Sequence, residues 1–360
     1  MISAMVFDGP DRPLRSSTFS RPVLGSGAAL VRNHLCTLCG SDLHTFFGRR
    51  REPVPTVLGH EAVGVIEELG PGGLVDVDGA RVEIGDRVVW AVAGSCGTCF
   101  FCTHDLPQKC ESLFKYGHQV VTPDRGPLGG LATHCHLLPG TAVVKVPDAV
   151  PDELAAPAAC ATATVAAAMR AGGDVRDGVV LVLGAGLLGL TTCAMARANG
   201  AGEVVAADTD SRRLELASQF GATRTVLLSL DREELVDRLA SLTAGRGADV
   251  VFEMTGAPPA VELGLARARV GGTVVLVGSV SPVGSIEVHP DQIVRRCLRI
   301  VGVHNYAPPD LSAAVRFLAA NASRFPFADL VTRRFSLADA EAGFHFAETE
   351  RPVRVAVVTN

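Results

Sequence analysis

At 360 residues, with 48% hydrophobic and 20% charged residues, the chain is long enough for two globular domains and too apolar for bulk disorder. A net charge of -5 excludes any general attraction to nucleic acid or to an anionic membrane surface. No apolar run reaches the ~18 uninterrupted residues of a membrane span, and the start lacks a basic segment followed by an apolar one. A cytoplasmic location is therefore expected, where ten cysteines suit metal thiolates better than disulfides.

Residues 1 to about 155 carry short alternating runs such as GHEAVGVIEELG and GDRVVWAV, separated by glycine and proline, which predicts a mostly β, barrel-like body. Within it lie CTLCGSDLHTFFG from Cys36 and VLGHEAVGV from Val57. With Cys160 further on, Cys39 and His60 can offer S, N and S to one zinc ion and leave a fourth position for water or an alcohol oxygen. Zinc there would lower the pKa of the bound group. Spacing alone leaves His60 open as a turn histidine and Cys160 as simple core. Glu61, next to His60, is either a carboxylate that orients a ligand or approaches the metal, or a surface residue at a strand start. Ser41 can cap a helix beginning at SDLH. Arg49, Arg50 and Arg51 follow, either a basic surface loop or guanidiniums for an anionic substrate group.

The loop SCGTCFFCTHDLPQKC then places Cys96, Cys99, Cys102 and Cys110 at spacing C-x2-C-x2-C-x7-C. Four soft thiolates with no vacancy describe a structural zinc. Iron-sulfur ligation and unbound or disulfide-linked thiols are the alternatives, although the final spacing departs from the ferredoxin run.

Near residue 150 the composition shifts to an alanine-rich helix ending at Gly172 and Gly173. Val179 to Leu183 form a continuous apolar run, expected of a parallel strand covered on both faces. Gly184, Gly186 and Gly189 follow as G-x-G-x-x-G at the turn into a helix, where a pyrophosphate would sit. Asp208 ends the next strand and can bond the adenosine ribose, favouring NAD over NADP, although Arg212 and Arg213 could hold a 2'-phosphate. Strand and helix patterns alternate onward through ADVVFEMTG and GGTVVLVG, predicting a doubly wound parallel sheet with Gly256 and Gly278 at its carboxyl ends. The tail reads helix then strand and is expected to return to the first domain.

These motifs together resemble the zinc-dependent medium-chain alcohol dehydrogenase family over essentially the whole chain. The resemblance rests on C-G-S-D-x-H at Cys39 to His44, G-H-E at Gly59 to Glu61, the four-cysteine loop, the glycine turn and Asp208. Stretches such as HTFFGRRREPVPTVLGHE and VRRCLRIVGVHNYAPPDLSAAVRFLAAN also resemble a subgroup associated with phosphonate catabolism. The family implies an α/β chain: a GroES-like, mostly β catalytic domain at residues 1–158 and 303–360, with a zinc lobe at 95–111, and a Rossmann domain at 159–302. It implies two zincs per chain, a catalytic one on Cys39, His60 and Cys160 beside Glu61, and a structural one on the four-cysteine loop. It implies a proton relay from Ser41 through the nicotinamide ribose to His44. The coenzyme set is Gly184, Gly186, Leu187, Leu188, Gly189, Asp208, Arg213, Gly256, Val277 and Gly278. The expected activity is NAD-linked oxidation of a small polar alcohol or polyol by a homodimer or homotetramer, with a hydroxyalkylphosphonate or cyclitol as alternative substrate. A non-catalytic NAD-binding module is the contrasting reading.

Overall fold

The computed structural model describes residues 1–228 and 232–359. The chain forms two compact units, one of Met1–Ala163, Ala307–Ala322 and Phe327–Asn360, the other of Thr164–Tyr306 and Ser323–Pro326. The first unit therefore runs to Ala163 where 158 was expected, and resumes at Ala307 where 303 was expected, so that Cys160 belongs with Cys39 and His60. The short piece Ser323–Pro326 goes with the second unit, against the expectation that everything after 303 would lie in the first.

The first unit is built on a seven-stranded sheet running Val143–Lys145, Arg87–Trp90, Glu61–Leu69, Ala29–Thr37, Arg354–Val358 and Val331–Ser336, with His134–Leu137 also paired to Ala29–Thr37. Its pairs are antiparallel except the last, Val331–Ser336 with Arg354–Val358. The tail strand thus enters the sheet directly beside Ala29–Thr37, with Ala356 opposite Thr37, while Thr37 faces Glu61 on its other side. Three strands distant in sequence meet at one end of the sheet, and that end holds the polar residues described below. Val31, Ile66, Val88, Trp90, Leu131 and Val357 pack into the apolar core behind them.

The second unit is a six-stranded sheet in the order Arg224–Leu227, Glu203–Asp208, Val179–Leu183, Ala248–Glu253, Ala268–Leu276, Arg299–Gly302. Every pair is parallel. The first strand in sequence is central and the order reverses beside it, the doubly wound arrangement that the continuous apolar run predicts. All five residues of Val179–Leu183 are buried.

One helical stretch, Asp152–Gly172, is long and apolar enough to cross a membrane by composition, but 83% of its apolar window is buried, the behaviour of a core helix. No other among the described residues passes that test. Its interior is uneven. A helix at Asp152–Pro157 passes into a π-turn at Ala158–Thr162 and then an α-helix at Ala163–Gly172. Pro157 has no N–H to give to the preceding turn, so the ladder is interrupted there and closes in the wider register. Cys160 sits in the middle of that wider turn.

Candidate active site and metal centres

Among the described residues, Cys39, His60, Glu61 and Cys160 bring one donor atom each within 4.8 Å of one another. Each arrives by a different local device. Cys39 is the N-cap of the helix Gly40–Phe46, in extended conformation, so its thiol projects ahead of the first turn. Ser41 is the second residue of that helix, which corrects its reading as the N-cap. Gly59, at φ +92°, turns the chain into His60; a Cβ there would lie 2.6 Å from Cys36 Sγ, so no other residue fits. Glu61 opens the strand Glu61–Leu69 with 0% exposure, which excludes the surface-glutamate alternative.

Asp42, also 0% exposed, organises this set, and motif reading passed over it although it lies inside the C-G-S-D-x-H motif. Its Oδ2 accepts from the Cys39 N–H at 3.0 Å, and its Oδ1 accepts from the Gly59 N–H at 3.2 Å. The same Oδ1 lies 3.1 Å from His60 Nδ1. With Nδ1 committed to a carboxylate, the imidazole turns Nε2 toward the sulfurs, the orientation a metal-ligating histidine needs. Burial by itself would lower the proton affinity of His60, but Asp42 and the Cys39 sulfur outweigh it and raise it well above the usual value. The hydrogen bond from Cys160, with help from Arg354 and His60 against burial, holds the Cys39 thiol well below its ordinary range. That shared hydrogen bond, with burial, pushes Cys160 well above.

Arg354 is the residue with no signal in the sequence. It is the first residue of the tail strand, and it grips Glu61 with two parallel bonds, Nε to Oε2 at 2.9 Å and Nη2 to Oε1 at 2.9 Å. Thr37 Oγ1 adds a third, to Oε2, at 2.7 Å. Arg354 Nη2 also lies 3.7 Å from Cys39 Sγ, so one guanidinium serves both carboxylate and thiolate. Burial raises the Glu61 carboxyl to about 7, with Arg354 opposing the rise and the Cys39 sulfur adding to it. A carboxylate withdrawn this far from water, between a guanidinium and a thiol, is expensive in a purely structural core.

The second donor cluster is the exposed loop. Cys96, Cys99, Cys102 and Cys110 present four sulfurs within 4.8 Å of one another. The Sγ–Sγ distances are 3.5 Å for Cys99 to Cys102 and 3.9 Å for both Cys96 to Cys102 and Cys99 to Cys110. A tetrahedron with metal–sulfur bonds of ~2.3 Å has edges of ~3.8 Å, so the set fits a single four-coordinate ion. A multi-iron cluster spreads its four thiolates over two or more irons and would hold some of the sulfurs much farther apart, and all ten cysteines are free, which disfavours the iron-sulfur and disulfide alternatives. Backbone N–H groups cradle the sulfurs: Cys96 and Ser112 donate to Cys110, and Thr98 and Cys99 donate to Cys96. Those bonds, the Thr98 N–H first, bring the Cys96 thiol down to about 6. Burial and the neighbouring sulfurs push Cys102 up to about 11.

In the second unit the glycine turn has the shape a dinucleotide requires. Gly184 takes φ +96°, and a Cβ on Gly189 would meet the Gly184 carbonyl at 1.8 Å, so strand and helix pack only with glycine there. A Cβ on Gly186 would meet nothing within 4 Å, and Gly186 caps the helix Leu187–Ala198 with no side-chain bond, which leaves the first N–H groups available to a phosphate. Asp208 ends its strand 7% exposed; Oδ2 accepts from the Ala185 N–H at 2.6 Å and Oδ1 from the Asp210 N–H at 2.9 Å. Arg212 is occupied by Asp210, and Arg213 is half-buried nearby in the chain. Gly256 and Gly278 lie back to back: a Cβ on Gly278 would approach the Gly256 nitrogen to 2.1 Å, and Val277 beside them is buried. Both glycines are demanded by this close approach, whatever else they do. Leu187 is buried in the first turn of the helix, with Leu188 partly exposed beside it.

The remaining candidates separate. Ser41 Oγ stands 3.4 Å from His60 Nε2, beside the metal donors. His44 is exposed, one turn along the same helix. The arginine run is not a single cationic patch. Arg49 pairs with Glu348 and Arg50 with Glu52, while Arg51 is exposed. Glu52 also lies 3.4 Å from His118 Nδ1, and the His118 ring is 5.5 Å from the His60 ring.

Residues 25–148 match the alcohol dehydrogenase GroES-like domain model, and residues 188–320 match the zinc-binding dehydrogenase model. A 5-exo-hydroxycamphor dehydrogenase from Pseudomonas putida is 34% identical, covering 91% of each chain. An L-threonine 3-dehydrogenase from Edwardsiella ictaluri is 31% identical over 90% of this chain and 89% of its own. An alcohol dehydrogenase of solved structure from Thermotoga maritima superposes with a TM-score of 0.94 at 28% identity, covering 100% of this chain and 99% of that one. Two metal centres of the right donor chemistry, a parallel sheet with a dinucleotide turn, and these likenesses lead to one conclusion: the chain belongs to the zinc-dependent medium-chain alcohol dehydrogenase family, enzymes that oxidise alcohols with a nicotinamide coenzyme.

Proposed function

We propose that the chain oxidises a small polar alcohol or polyol to the aldehyde or ketone with NAD, using the Cys39–His60–Cys160 centre as its catalytic metal site. The observation that carries this reading is the set of two thiols and an imidazole brought together beside Glu61, whose carboxylate is engaged by Arg354. Bound zinc supplies a Lewis acid for the alcohol oxygen, and bound nicotinamide supplies the hydride acceptor. The chain's own residues do the rest. Asp42 fixes the His60 ring, and Arg354 keeps a counter-charge beside the thiolate. The Ser41 hydroxyl takes the alcohol proton, and His44 is its outlet to water. The four-cysteine loop holds a structural zinc that closes its lobe.

Preference for NAD over NADP is supported by the position of Asp208, whose carboxylate would repel a 2'-phosphate at that strand end. The charged residues Glu52 and Arg50 behind His118 support a polar substrate, with hydroxyalkylphosphonates and cyclitols as the alternatives. Exposed Val280, Val283, Val288, Val294 and Ile300, and the unpaired side of the edge strand Arg299–Gly302, support a homodimer or homotetramer joined through the second unit. A cytoplasmic enzyme is in keeping with a set of reduced thiols.

The test is NAD and NADP reduction by the zinc-loaded enzyme over polyols, cyclitols, amino alcohols, hydroxyalkylphosphonates and 5-exo-hydroxycamphor. The expected result is NAD reduction with one polar class, reversed toward NADP by Asp208→Ala. Turnover of hydroxycamphor alone would overturn the polar-substrate reading, and indifference to Asp208→Ala would overturn the coenzyme reading.

A further inference from the structure

Arg49 makes a contact that reaches beyond the arginine run it was read in. Gly48, at φ +72°, turns the chain back after the helix Gly40–Phe46, and Arg49 Nε then donates to His44 Nδ1 at 3.0 Å. The rest of its guanidinium is committed to Glu348 by two bonds, Nη1 to Oε1 at 2.6 Å and Nη2 to Oε2 at 2.9 Å. Glu348 is placed by helix packing. Phe46 stacks on Phe344 with ring centroids 4.4 Å apart, and Glu348 lies one turn beyond Phe344 on the same face of the helix Ala340–Glu350. The Phe47 ring lies 5.4 Å from the guanidinium carbon. Arg49 is thus held from three sides, an unusual degree of order for an exposed arginine.

We infer that Arg49, clamped by Glu348, is a positioning residue for His44: it selects the imidazole tautomer with its lone pair on Nδ1 and its proton on Nε2, and so fixes which nitrogen of the relay's outlet faces the incoming proton. The chemistry admits no other tautomer in this geometry, because a guanidinium N–H donates only and a protonated Nδ1 has no lone pair to receive it. A proton arriving at His44 takes the Nδ1 lone pair and displaces the Arg49 Nε–H, which keeps its two bonds to Glu348; water then removes a proton from the imidazolium. Protonation therefore costs a hydrogen bond and sets two cations side by side. The charged group bonded to His44 is Arg49; Glu348 behind it is also near His44 and Arg351, and His345 on the same helix as Glu348 packs against the Phe46 and Phe47 rings. Asp42 on its own helix is turned to His60, and Arg50 is turned to Glu52.

This inference rests on the relay role given to His44 under Proposed function, and the two can fail separately. The experiment uses zinc-loaded enzyme containing ring-15N histidine, with His44 assigned by the signal lost in His44→Gln. Long-range 1H–15N spectra should show the Nε2–H tautomer for His44 in the wild type and a mixture in Arg49→Ala. kcat/KM for alcohol oxidation should fall severalfold in Arg49→Ala, while the thermal midpoint changes little. An Nδ1–H tautomer in the wild type, or an unchanged tautomer in Arg49→Ala, overturns the inference. Unaltered kcat/KM across pH in His44→Gln would instead remove His44 from the relay and leave the Arg49 result standing.

Discussion

The two metal centres use the same thiolate chemistry in opposite surroundings. In the loop from Cys96 to Cys110, neutral backbone N–H groups stabilise the sulfurs and Cys96 is exposed. At Cys39, His60 and Cys160, a buried histidine and two half-buried thiols lie among the buried Asp42 and Glu61 and the mostly covered Arg354. Four ligands from one short loop need only a turn to bring them together, and a closed tetrahedron has nothing left to react. The donors of the second centre come from a helix N-cap, a glycine turn, a strand start and a π-turn, so they need long-range packing to meet. The lesson is that the presence of sulfur donors does not by itself separate the two centres in this molecule; the partners mixed in with them and the surrounding charge do.

The largest effect that would sharpen this contrast is loss of the open site. Cys39→Ser is expected to reduce kcat/KM by roughly a thousandfold or more, with bound zinc falling from two per chain to one and the fold retained. Near-normal turnover with one zinc would break the assignment of roles.

Arg354→Leu should come next. It strands Glu61 as a buried carboxylate without its guanidinium, and breaking such a pair from one side costs about 3–5 kcal/mol. Denaturant unfolding should show that loss, and Arg354→Leu combined with Glu61→Met should recover much of it. Equal stability of the single and double variants would mean the pair is not coupled.

Cys99→Ser tests the other centre. It should lower the thermal midpoint and release one zinc, at a cost of about 2 kcal/mol or more, while the kcat of the enzyme still folded stays near that of the wild type. A collapse in kcat equal to that of Cys39→Ser would show that the loop is not merely structural.

The smallest effect expected is from Asp42→Asn. An amide has one oxygen, so it can accept from only one of the Cys39 and Gly59 N–H groups that Oδ2 and Oδ1 now receive, and it no longer offers a charge to His60, so zinc affinity should fall by about 10–100-fold. Competition with a chelator measures it, and an unchanged affinity would show that the aspartate only caps the helix.

Much of this was legible in residue order because its causes are local. The four-cysteine spacing, the G-x-G-x-x-G turn after an all-apolar strand, and G-H-E with its φ-positive glycine each write a local geometry that few residues can satisfy. Asp42 was visible but read as part of a motif rather than as the group that holds Cys39, Gly59 and His60 together. The arginine run was ambiguous because a guanidinium on a loop can meet solvent, substrate or a neighbour, and only the helix Ala340–Glu350 decides that Arg49 meets Glu348.

By itself, then, the sequence determined which atoms could ligate metal and where a pyrophosphate could rest, since turn geometry and donor chemistry act over a few residues. Only the tertiary structure decided the charges around those atoms. Arg354 reaches Glu61 because the tail strand pairs beside Ala29–Thr37, a partnership set by burying both strands in one sheet and carried by no motif near either residue. Electrostatics in a core depends on what is brought close in space, and that is settled by packing at long sequence range.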